Sequence, residues 1–399
     1  MSTIEKDQLR PLIIDIGSKN LRMGWAGDDF PDIIAPTVYV NNTDYLFASD
    51  VIDGLEDIYI TEKSIENHLF GHDAIKYSNI LKIHEFRKES NYNIFMKFFY
   101  HHYKQLEITE ENQFKQPIII ISPYFMPEIE NTKLQDIFLN VFDFPSLLFL
   151  SESQGILATL RKTSGIVISM GETNTIITTF LHGFSNVMAR DIYPIAGKDL
   201  TNYLLNLIIS KKGSGKNIFL DKMIANEIKE KLSLCVINPD EEIRRIKDGL
   251  TKYNRNIDLP DGTNLEINTE RFMLAEPLFK PSLIHIDYIG LPEAISKVTK
   301  FWDRENWEDI LSNIIIAGGG SLIPGLDVRL KAEISKHFSD RLKDKINVLG
   351  VSGRENIGWI GASVLWAQGK LNKGWIQNPK QKDSEQEKEF ENTNQNIEL

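Results

Sequence analysis

The chain has 399 residues, of which 42% are hydrophobic and 25% are charged, as in an ordinary soluble protein, and its length predicts two domains. Its formal net charge of −11 argues against broad, sequence-blind binding to nucleic acid or to anionic membranes, which requires clustered Lys and Arg. A single cysteine, Cys235, excludes an internal disulfide and a cysteine-based metal site, and it favours a reducing compartment.

The first elements along the chain predict strands separated by turns. Segment 11–31, "PLIIDIGSKNLRMGWAGDDFP", combines an apolar strand, a glycine-containing turn and an alternating stretch, which is the pattern of a β-hairpin. Segment 41–70 is rich in Asp, Asn and Glu without a regular period, so we expect an excursion with little regular structure. Segment 116–127 predicts a buried parallel strand that stops at Pro123.

Hydrophobic spacing typical of helices recurs along the chain. It covers segments 90–106, the first part of 128–150 (whose second part predicts a strand), 151–162, 196–213, 221–236, 290–302, 305–313 and 356–370. Ser151 offers an N-cap for the helix in 151–162. Segment 164–184 predicts a second hairpin, and 313–338 predicts a strand, a glycine turn and a helix. This alternation indicates an α/β protein, and the polar tail 379–399 is expected to be disordered.

Three glycine turns each follow an apolar strand: "DIGSKN" (15–20), "SMGETN" (169–174) and "AGGGSLIPG" (317–325). Glycine at such a place lets the backbone approach an anion and direct its N–H groups toward it. A single glycine after a strand is most often an ordinary hairpin turn. Two turns at equivalent positions of two similar halves, with a third near the C-terminus, form a rarer combination and predict a phosphate-binding site.

In this order and spacing the motifs resemble the actin superfamily, from about residue 12 to about residue 376. The stretch "IDIGSKNLRMGWAGDDFP" is similar to the opening phosphate hairpin of actin, "NEIKEKLSLCV" to the helix that contacts adenosine, and "IIAGGGSLIPGLDVRLKAEI" to the adenine loop and its helix. Further resemblance lies in "AGKDLTNYLL", "ERFMLAEPLFKPSLI" and "GWIGASVL". Together these stretches resemble a divergent actin or actin-related protein.

The resemblance implies the bilobed α/β fold shared by actin, heat-shock chaperones and sugar kinases, with a nucleotide cleft between two α/β domains. It implies a domain I over 1–160, with a variable small-subdomain insertion at 37–70. Domain II would cover 161–355, with its small subdomain at about 198–275, and residues 356–378 would return to domain I.

Carried over residue by residue, the resemblance implies a site for ATP or ADP, with Mg²⁺ as a companion of the nucleotide. Asp15 matches the acid that contacts the metal through water. Gln154 matches the glutamine that would place the attacking water in an active enzyme, and no residue is assigned firmly to catalysis. The positions matched to nucleotide contacts are Gly17, Ser18, Lys19, Arg22, Gly171, Glu172, Thr173, Lys229, Glu230, Gly318, Gly319 and Gly320.

Six positions depart from the family pattern, one of them Glu172, which stands for the usual aspartate of the second phosphate turn. Lys19 replaces a glycine in the first turn, and Arg22 replaces a phosphate-facing lysine with a larger, planar fork. Ser169 replaces the second acid of the metal shell, Ile176 replaces the histidine near the attacking water, and Glu355 replaces a lysine beside the adenine. Because phosphoryl transfer depends on positioning and on charge neutralisation by the metal, we expect these changes to weaken hydrolysis more than binding.

These departures imply a structural subunit of a larger complex, with weak or no ATPase activity. One version is a chromatin-remodelling complex, in which a partner helix docks in the lower cleft. Another is a cytoskeletal assembly of the dynactin type, with actin or another actin-related protein as a neighbour. The alternative is a filament-forming, actin-like ATPase of the cytoskeleton. A small-molecule kinase of the same fold would need a catalytic acid, and no motif supplies a candidate.

The expected location follows from two features of the sequence. Apolar runs stay below the roughly 18–20 residues that a bilayer span requires. The first residues, "MSTIEKDQLRP", are polar and mixed in charge, unlike a secretory signal. We therefore expect a protein of the cytoplasm, the cytoskeleton or the nucleus that is neither secreted nor transmembrane, with no membrane and no direct nucleic-acid partner.

Overall fold

The computed structural model describes residues 10–45, 68–86, 91–123, 127–212, 222–259, 262 and 264–380. The chain divides into two compact units, Met1–Gly155 with Trp359–Leu399, and Ile156–Gly358. Both division points fall inside helices.

The strands, numbered in chain order, are β1 (Leu12–Ile16), β2 (Asn20–Trp25), β3 (Ile33–Pro36), β4 (Val38–Tyr45), β5 (His68–Phe70), β6 (Leu81–Glu85), β7 (Ile118–Ser122), β8 (Ser146–Ser151), β9 (Gly165–Met170), β10 (Thr175–Phe180), β11 (Arg190–Tyr193), β12 (Arg255–Asp258), β13 (Asn264–Ile267), β14 (Ile314–Ala317), β15 (Val348–Leu349) and β16 (Ile376–Gln377).

The α-helices are α1 (Gly71–Lys76), α2 (Tyr92–Tyr103), α3 (Glu128–Gln135), α4 (Glu152–Thr159), α5 (Gly197–Lys212), α6 (Lys222–Leu232), α7 (Pro239–Lys247), α8 (Glu270–Met273), α9 (Leu291–Thr299), α10 (Trp307–Leu311), α11 (Leu326–Ser335), α12 (Asp340–Lys343) and α13 (Ile357–Ala367). A π-helical turn covers Asp136–Val141. Turns of 3-10 helix cover Lys104–Leu106, Glu110–Asn112, Glu276–Leu278, Pro281–Ile284, Arg304–Asn306 and Gly319–Leu322.

The main sheet of the first unit has six strands in the order β16-β8-β7-β1-β2-β3. Strands β1, β7 and β8 are parallel, whereas β1–β2 and β2–β3 are antiparallel pairs. Strand β7 has the sequence IIIIS with its four isoleucines buried, as expected for a parallel strand covered on both faces. A smaller antiparallel sheet in this unit has the order β5-β4-β6.

The sheet of the second unit repeats the arrangement of the first. Its order is β11-β10-β9-β14-β15, in which β9, β14 and β15 are parallel while β9–β10 and β10–β11 are antiparallel. The order and directions match those of β3-β2-β1-β7-β8 in the first unit. The structure therefore confirms that the chain contains two similar α/β halves, each opening with a hairpin.

The two units differ in the chemistry of their cores. In the first unit the rings of Phe99 and Phe138 meet edge to face at 4.9 Å, within a group of fully buried aromatic side chains that includes Phe98 and Phe144. The core of the second unit is mainly aliphatic, with residues such as Ile168 and Ile316 fully buried. Each sheet thus packs on its own hydrophobic core, and the hairpin turns lie at the ends of its strands.

Most predicted elements are confirmed, including both hairpins, the strand that ends before Pro123 and the order of the helices along the chain. The helix predicted over 221–236 ends earlier, at Leu232. The next amides are used elsewhere, because Leu234 N–H donates to Arg271 O at 2.9 Å and Cys235 N–H donates to Pro324 O at 2.7 Å. Backbone hydrogen bonds to distant residues therefore end this helix at Leu232, although the helical spacing of hydrophobic residues continues to residue 236.

Two other local expectations need correction. The excursion predicted over 41–70 begins and ends as regular structure, because β4 extends to Tyr45 and β5 begins at His68; residues 46–67 lie outside the described residues. Ser151 ends β8, and its buried hydroxyl has no hydrogen-bond partner among the described residues, so the expected N-cap of α4 is wrong. The tail expected to be disordered lies outside the described residues from 381 onward.

Candidate functional site

The turn between β1 and β2 is fixed by backbone hydrogen bonds. Gly17 N–H donates to Asn20 O at 3.0 Å, Thr37 N–H donates to Lys19 O at 2.9 Å, and Thr37 Oγ1 donates to Gly17 O at 2.9 Å. A Cβ on Gly17 would lie 2.6 Å from Asn20 O, so the turn requires glycine there. The structure places the predicted residues Gly17, Ser18 and Lys19 together at the end of β1, partly exposed.

An ion pair crosses this hairpin at its base. The register sets Asp15 opposite Arg22, and Arg22 Nη1 donates to Asp15 Oδ2 at 3.0 Å. The side chains are 12% exposed for Arg22 and 19% exposed for Asp15. Sequence reasoning assigned Asp15 to the metal shell and Arg22 to phosphate, and it missed that the two charges meet. The signal was available, because hairpin pairing about Ser18 and Lys19 places these positions opposite each other.

The turn between β9 and β10 receives the start of α5. Gly171 N–H donates to Asn174 O at 2.9 Å, Gly197 N–H to Gly171 O at 3.0 Å, and Lys198 N–H to Glu172 O at 2.9 Å. A Cβ on Gly197 would lie 2.6 Å from Glu172 Oε2, so the helix approaches the turn closely only because this residue is glycine. Two of the first amides of α5 are therefore used to hold the turn.

Lys229 ties α6 to the same place. Its Nζ donates to Gly197 O at 2.9 Å and to Thr201 Oγ1 at 2.7 Å, and it lies 3.9 Å from Glu172 Oε2. The residue is 8% exposed. The next residue, Glu230, accepts at Oε1 from Asn226 Nδ2 at 3.1 Å. The Lys229 ammonium thus stabilises the packing of α6 against α5 and the turn. The sequence did not predict this role.

The third glycine turn packs directly on the second. Gly318 has φ +81° and ψ 161°, a conformation open essentially to glycine, and its Cβ would overlap the carbonyl oxygen of Met170. A Cβ on Gly320 would lie 3.0 Å from the same oxygen and 3.3 Å from Gly171 O, whereas Gly319 has open space around it. The structure therefore brings Gly318–Gly320 and Gly171 together.

Arg354 holds this loop from the other side. Its carbonyl accepts from Gly318 N–H at 2.9 Å, and its guanidinium donates to Ser321 Oγ at 3.0 Å and to Ser321 O at 2.8 Å. Ser321 Oγ in turn donates to Gly318 O at 2.7 Å. The next residue, Glu355, has a buried Oε2 with no hydrogen-bond partner among the described residues.

The remaining predicted positions lie in β9, β10, the second turn and α4. Ser169 and Ile176 face each other across β9 and β10, and each is 6% exposed. Thr173 is half-buried in the second turn, and Gln154 is exposed on α4, in the first unit. In the first unit the structure thus groups Asp15, Gly17–Lys19 and Arg22. In the second unit it groups Gly171, Glu172, Thr173, Lys229, Glu230, Gly318, Gly319 and Gly320.

Two negative findings apply to the residues that the structure describes. They contain no group of three or more His, Cys, Asp or Glu side chains placed to hold a metal ion. None of their helices combines the length and the apolar character that a membrane span requires.

Comparison with known proteins gives one family and consistent relatives. The family model described as Actin matches residues 6–387. "Putative actin-29" of Dictyostelium discoideum is 25% identical over 363 residues, which cover 89% of this chain and 89% of that protein. "Actin-like protein" of Neurospora crassa is 25% identical over 375 residues, which cover 92% of this chain and 93% of that protein.

Proposed function

This chain belongs to the actin family, and from that premise we propose that it is a divergent actin-related protein that binds ATP or ADP as a structural subunit of a larger assembly. We further propose that its ATPase activity is weak or absent. The observation that carries the proposal is the Asp15–Arg22 ion pair at 3.0 Å, together with the buried Ser169 at the position where the resemblance implies the second acid of the metal shell.

Nucleotide binding is supported by the glycine turns, taken separately in each unit. The turns at Gly17 and Gly171 sit at the ends of buried strands with their backbones fixed, as a phosphate-binding turn requires. Gly319 has no atom within 4 Å of the place of a Cβ, so the loop leaves room for a ligand to approach its backbone. Members of the actin fold family generally bind ATP or ADP with Mg²⁺, which agrees with this arrangement.

Weak ATP hydrolysis is supported by the charges of the side chains at the positions assigned to metal and water. A magnesium ion bound with nucleotide takes its ligands from phosphate oxygens, water and one or two carboxylates. Here the carboxylate of Asp15 is engaged by Arg22, and Ser169 and Ile176 offer no carboxylate or imidazole. Gln154 would be the residue to place water. Such a site would retain the nucleotide but would lack the charge neutralisation on which phosphoryl transfer depends.

The assembly is proposed in two versions. In a chromatin-remodelling complex, located in the nucleus, a long helix of another subunit would bind this chain. In a cytoskeletal assembly of the dynactin type, in the cytoplasm, actin or another actin-related protein would be the neighbour. Affinity purification of the full chain from its native cells, with identification of the co-purifying subunits, distinguishes the two versions.

The test of the nucleotide proposal measures binding, turnover and polymer in parallel on the full chain. We expect ATP and ADP to bind in a calorimetric titration with Mg²⁺, phosphate release to stay close to the buffer rate, and no sedimentable polymer to form. The variants are Asp15→Ala and, as a matched control, Asp29→Ala, an exposed acid of the same unit.

The outcomes separate the proposed function from its rival. Rapid phosphate release that Asp15→Ala abolishes and Asp29→Ala preserves, together with sedimentable polymer, would show a filament-forming ATPase instead. Absence of any nucleotide binding would reject both the nucleotide-binding structural subunit and the filament-forming ATPase.

A further inference from the structure

A surface groove of about 520 Å³ runs along α9 in the second unit, lined by Ile289, Glu293, Lys297, Lys300 and Phe301. Its volume lies within the roughly 300–1,000 Å³ that is usual for ligand-binding pockets. None of these five residues belongs to the glycine turns or to the positions assigned to nucleotide. The groove is therefore a second candidate site, separate in its residues from the first.

The helix beneath the groove is firmly packed. It lies against β10 and β11, and its exposed side carries the groove. The opposite side is buried through Leu291, Pro292, Ala294, Ile295, Ser296, Val298 and Thr299. A ligand in the groove would thus meet side chains on a fixed backbone, which reduces the entropy that binding costs.

Both apolar ends of the groove are held by contacts of the neighbouring residues. Ile289 is half-buried, and beside it the Tyr288 hydroxyl contacts both carboxylate oxygens of Asp191 at 2.8 and 2.7 Å. At the other end Phe301 is 46% exposed, and beside it Trp302 Nε1 donates to a threonine hydroxyl of β10 at 2.7 Å. The groove therefore ends in an aliphatic side chain on one side and an aromatic ring on the other.

The charged side chains of the groove are open to a ligand. Within the part of the chain that the structure describes, no residue forms an ion pair or a hydrogen bond with the side chains of Glu293, Lys297 or Lys300. A glutamate four residues before a lysine is the favourable order for a helical ion pair, and such a pair does close between Glu227 and Lys231 on α6. The two ammonium groups and one carboxylate give the groove a net positive charge, on a chain with a net charge of −11.

The order of these groups along α9 indicates the shape of a ligand. Positions three and four apart lie on one face of a helix, so Glu293, Lys297 and Lys300 form a row, with Ile289 before it and Phe301 after it. The row rises by about 10 Å, which an extended peptide spans in about three residues. A short peptide with carboxylates over the lysines and an apolar side chain at each end matches this order.

We propose that the groove binds an acidic peptide segment of a protein partner, with carboxylates facing Lys297 and Lys300 and an apolar side chain against Phe301. This inference deepens the proposed role as a subunit of an assembly, on which it rests, by naming the chemistry of one partner. Exposed ion pairs contribute little singly. The aromatic ring therefore supplies the larger share of the affinity, and the lysines select for acids.

The test is a fluorescence anisotropy titration of the full chain with labelled synthetic peptides. The first peptide carries two glutamates between a leucine and a phenylalanine, and the second carries glutamines in place of the glutamates. We expect the glutamate peptide to bind about tenfold more tightly at low salt. The difference should shrink at about 0.5 M salt, where exposed charges are screened.

Variants of the groove assign this binding to its residues. Lys297→Gln and Lys300→Gln should each weaken binding of the glutamate peptide about threefold, and Phe301→Ala should weaken it about tenfold. Glu293→Gln should strengthen binding about twofold, because it removes a repelling carboxylate. A general loss of stability would not produce this opposite sign. The matched control is Lys247→Gln, at an exposed lysine of α7 in the same unit, which should leave the affinity unchanged.

Three outcomes would overturn the inference. The glutamate and glutamine peptides could bind equally, or Lys247→Gln could weaken binding as much as the groove variants do. A polyaspartate peptide could bind as tightly as the glutamate peptide and ignore Phe301→Ala, which would show ionic attraction alone. The nucleotide titration and the purification of native partners are independent of these measurements, so failure of the groove is distinguishable from failure of the proposed function.

Discussion

In the first unit the turn between β1 and β2 closes through a hydrogen bond from Gly17 N–H to Asn20 O at 3.0 Å. In the second unit the turn between β9 and β10 closes in the same way, from Gly171 N–H to Asn174 O at 2.9 Å. The backbones are equivalent, but their surroundings differ. The first turn is flanked by an ion pair within its own hairpin, whereas the second is held by a helix and by a separate glycine loop.

The difference shows that the same turn can be stabilised by local or by long-range contacts. In the first hairpin Asp15 and Arg22 neutralise each other seven residues apart in sequence. In the second, Gly197, Lys229 and Gly318 arrive from distant parts of the chain and meet around Gly171 and Glu172. A change in the first turn should therefore act locally, while a change around the second should loosen several elements together.

The largest effect is expected at the glycine loop that packs on the second turn. Gly318→Ala would force alanine into a conformation open essentially to glycine and would place its methyl group against the carbonyl of Met170, 2.9 Å from the carbonyl carbon. We expect the free energy of unfolding to fall by about 3 kcal/mol or more, since both strain and overpacking contribute. Urea denaturation followed by circular dichroism measures this loss.

Gly319→Ala is the matched control, because the space around its Cβ position is empty. Its free energy of unfolding should stay within about 0.5 kcal/mol of that of the unaltered chain, as for ordinary surface changes. Equal losses in the two variants would contradict the packing of this loop against Met170.

Acid should lower the stability of the first unit through His102, a buried residue that is not part of the turn between β1 and β2. His102 is 4% exposed, and burial, with His101 and His72 nearby, lowers its pKa to about 4 from 6.5. Because the unfolded chain binds this proton at a higher pH than the folded chain, stability is unaffected above pH 6.5 and falls as the pH drops toward 4. The free energy of unfolding should therefore fall by about 3 kcal/mol over this pH range, since a tenfold change in proton affinity is worth about 1.4 kcal/mol.

Thermal melts between pH 7 and pH 4.5 test this expectation. His102→Leu should make the melting temperature less sensitive to pH over this window. His101→Leu, at the half-buried neighbour whose ring lies 5.0 Å away, should preserve most of the sensitivity. An unchanged pH dependence in His102→Leu would assign the acid response to other groups.

The comparison also shows which features the sequence could predict. The hairpins and the helix order followed from hydrophobic period and from glycine placement, both of which are local signals. The Asp15–Arg22 pair could have been predicted from hairpin register. The role of Lys229 could not, because it depends on Gly197 O and Thr201 Oγ1 arriving from another helix. The early end of α6 at Leu232 likewise depends on Arg271 O and Pro324 O.

A carboxylate introduced into the second hairpin should reveal whether its turn still accepts a metal. Ser169 is 6% exposed, so Ser169→Asp would bury a charge and should lower the free energy of unfolding by about 2 kcal/mol without ligand. If the proposed site binds Mg²⁺ with nucleotide, part of that loss should be recovered when both are added. Melting curves with Mg²⁺ and nucleotide, together and separately, provide the measurement.

Ser169→Asn separates charge from size in this experiment. It is nearly isosteric with aspartate but neutral, so its stability should not respond specifically to Mg²⁺. Equal recovery in the Asn and Asp variants would mean that nucleotide alone stabilises the protein, and no recovery in either would argue against a metal at this turn.

The smallest expected effect is the difference in coupling energy between the Asp15–Arg22 and Glu172–Lys229 pairs, which double-mutant cycles measure. Asp15→Asn and Arg22→Met should show a coupling energy of about 1 kcal/mol, because the pair is at 3.0 Å and both side chains are mostly buried. Glu172→Gln and Lys229→Met should couple by only a few tenths of a kcal/mol, because the atoms are 3.9 Å apart and Glu172 is 26% exposed. Lys229→Met alone should still be costly, since it removes the hydrogen bonds to Gly197 O and Thr201 Oγ1, but the cycle cancels that loss. A coupling at the second turn equal to that at the first would mean that Lys229 and Glu172 interact more closely than their distance indicates, and the contrast between a locally paired and a remotely supported turn would no longer hold.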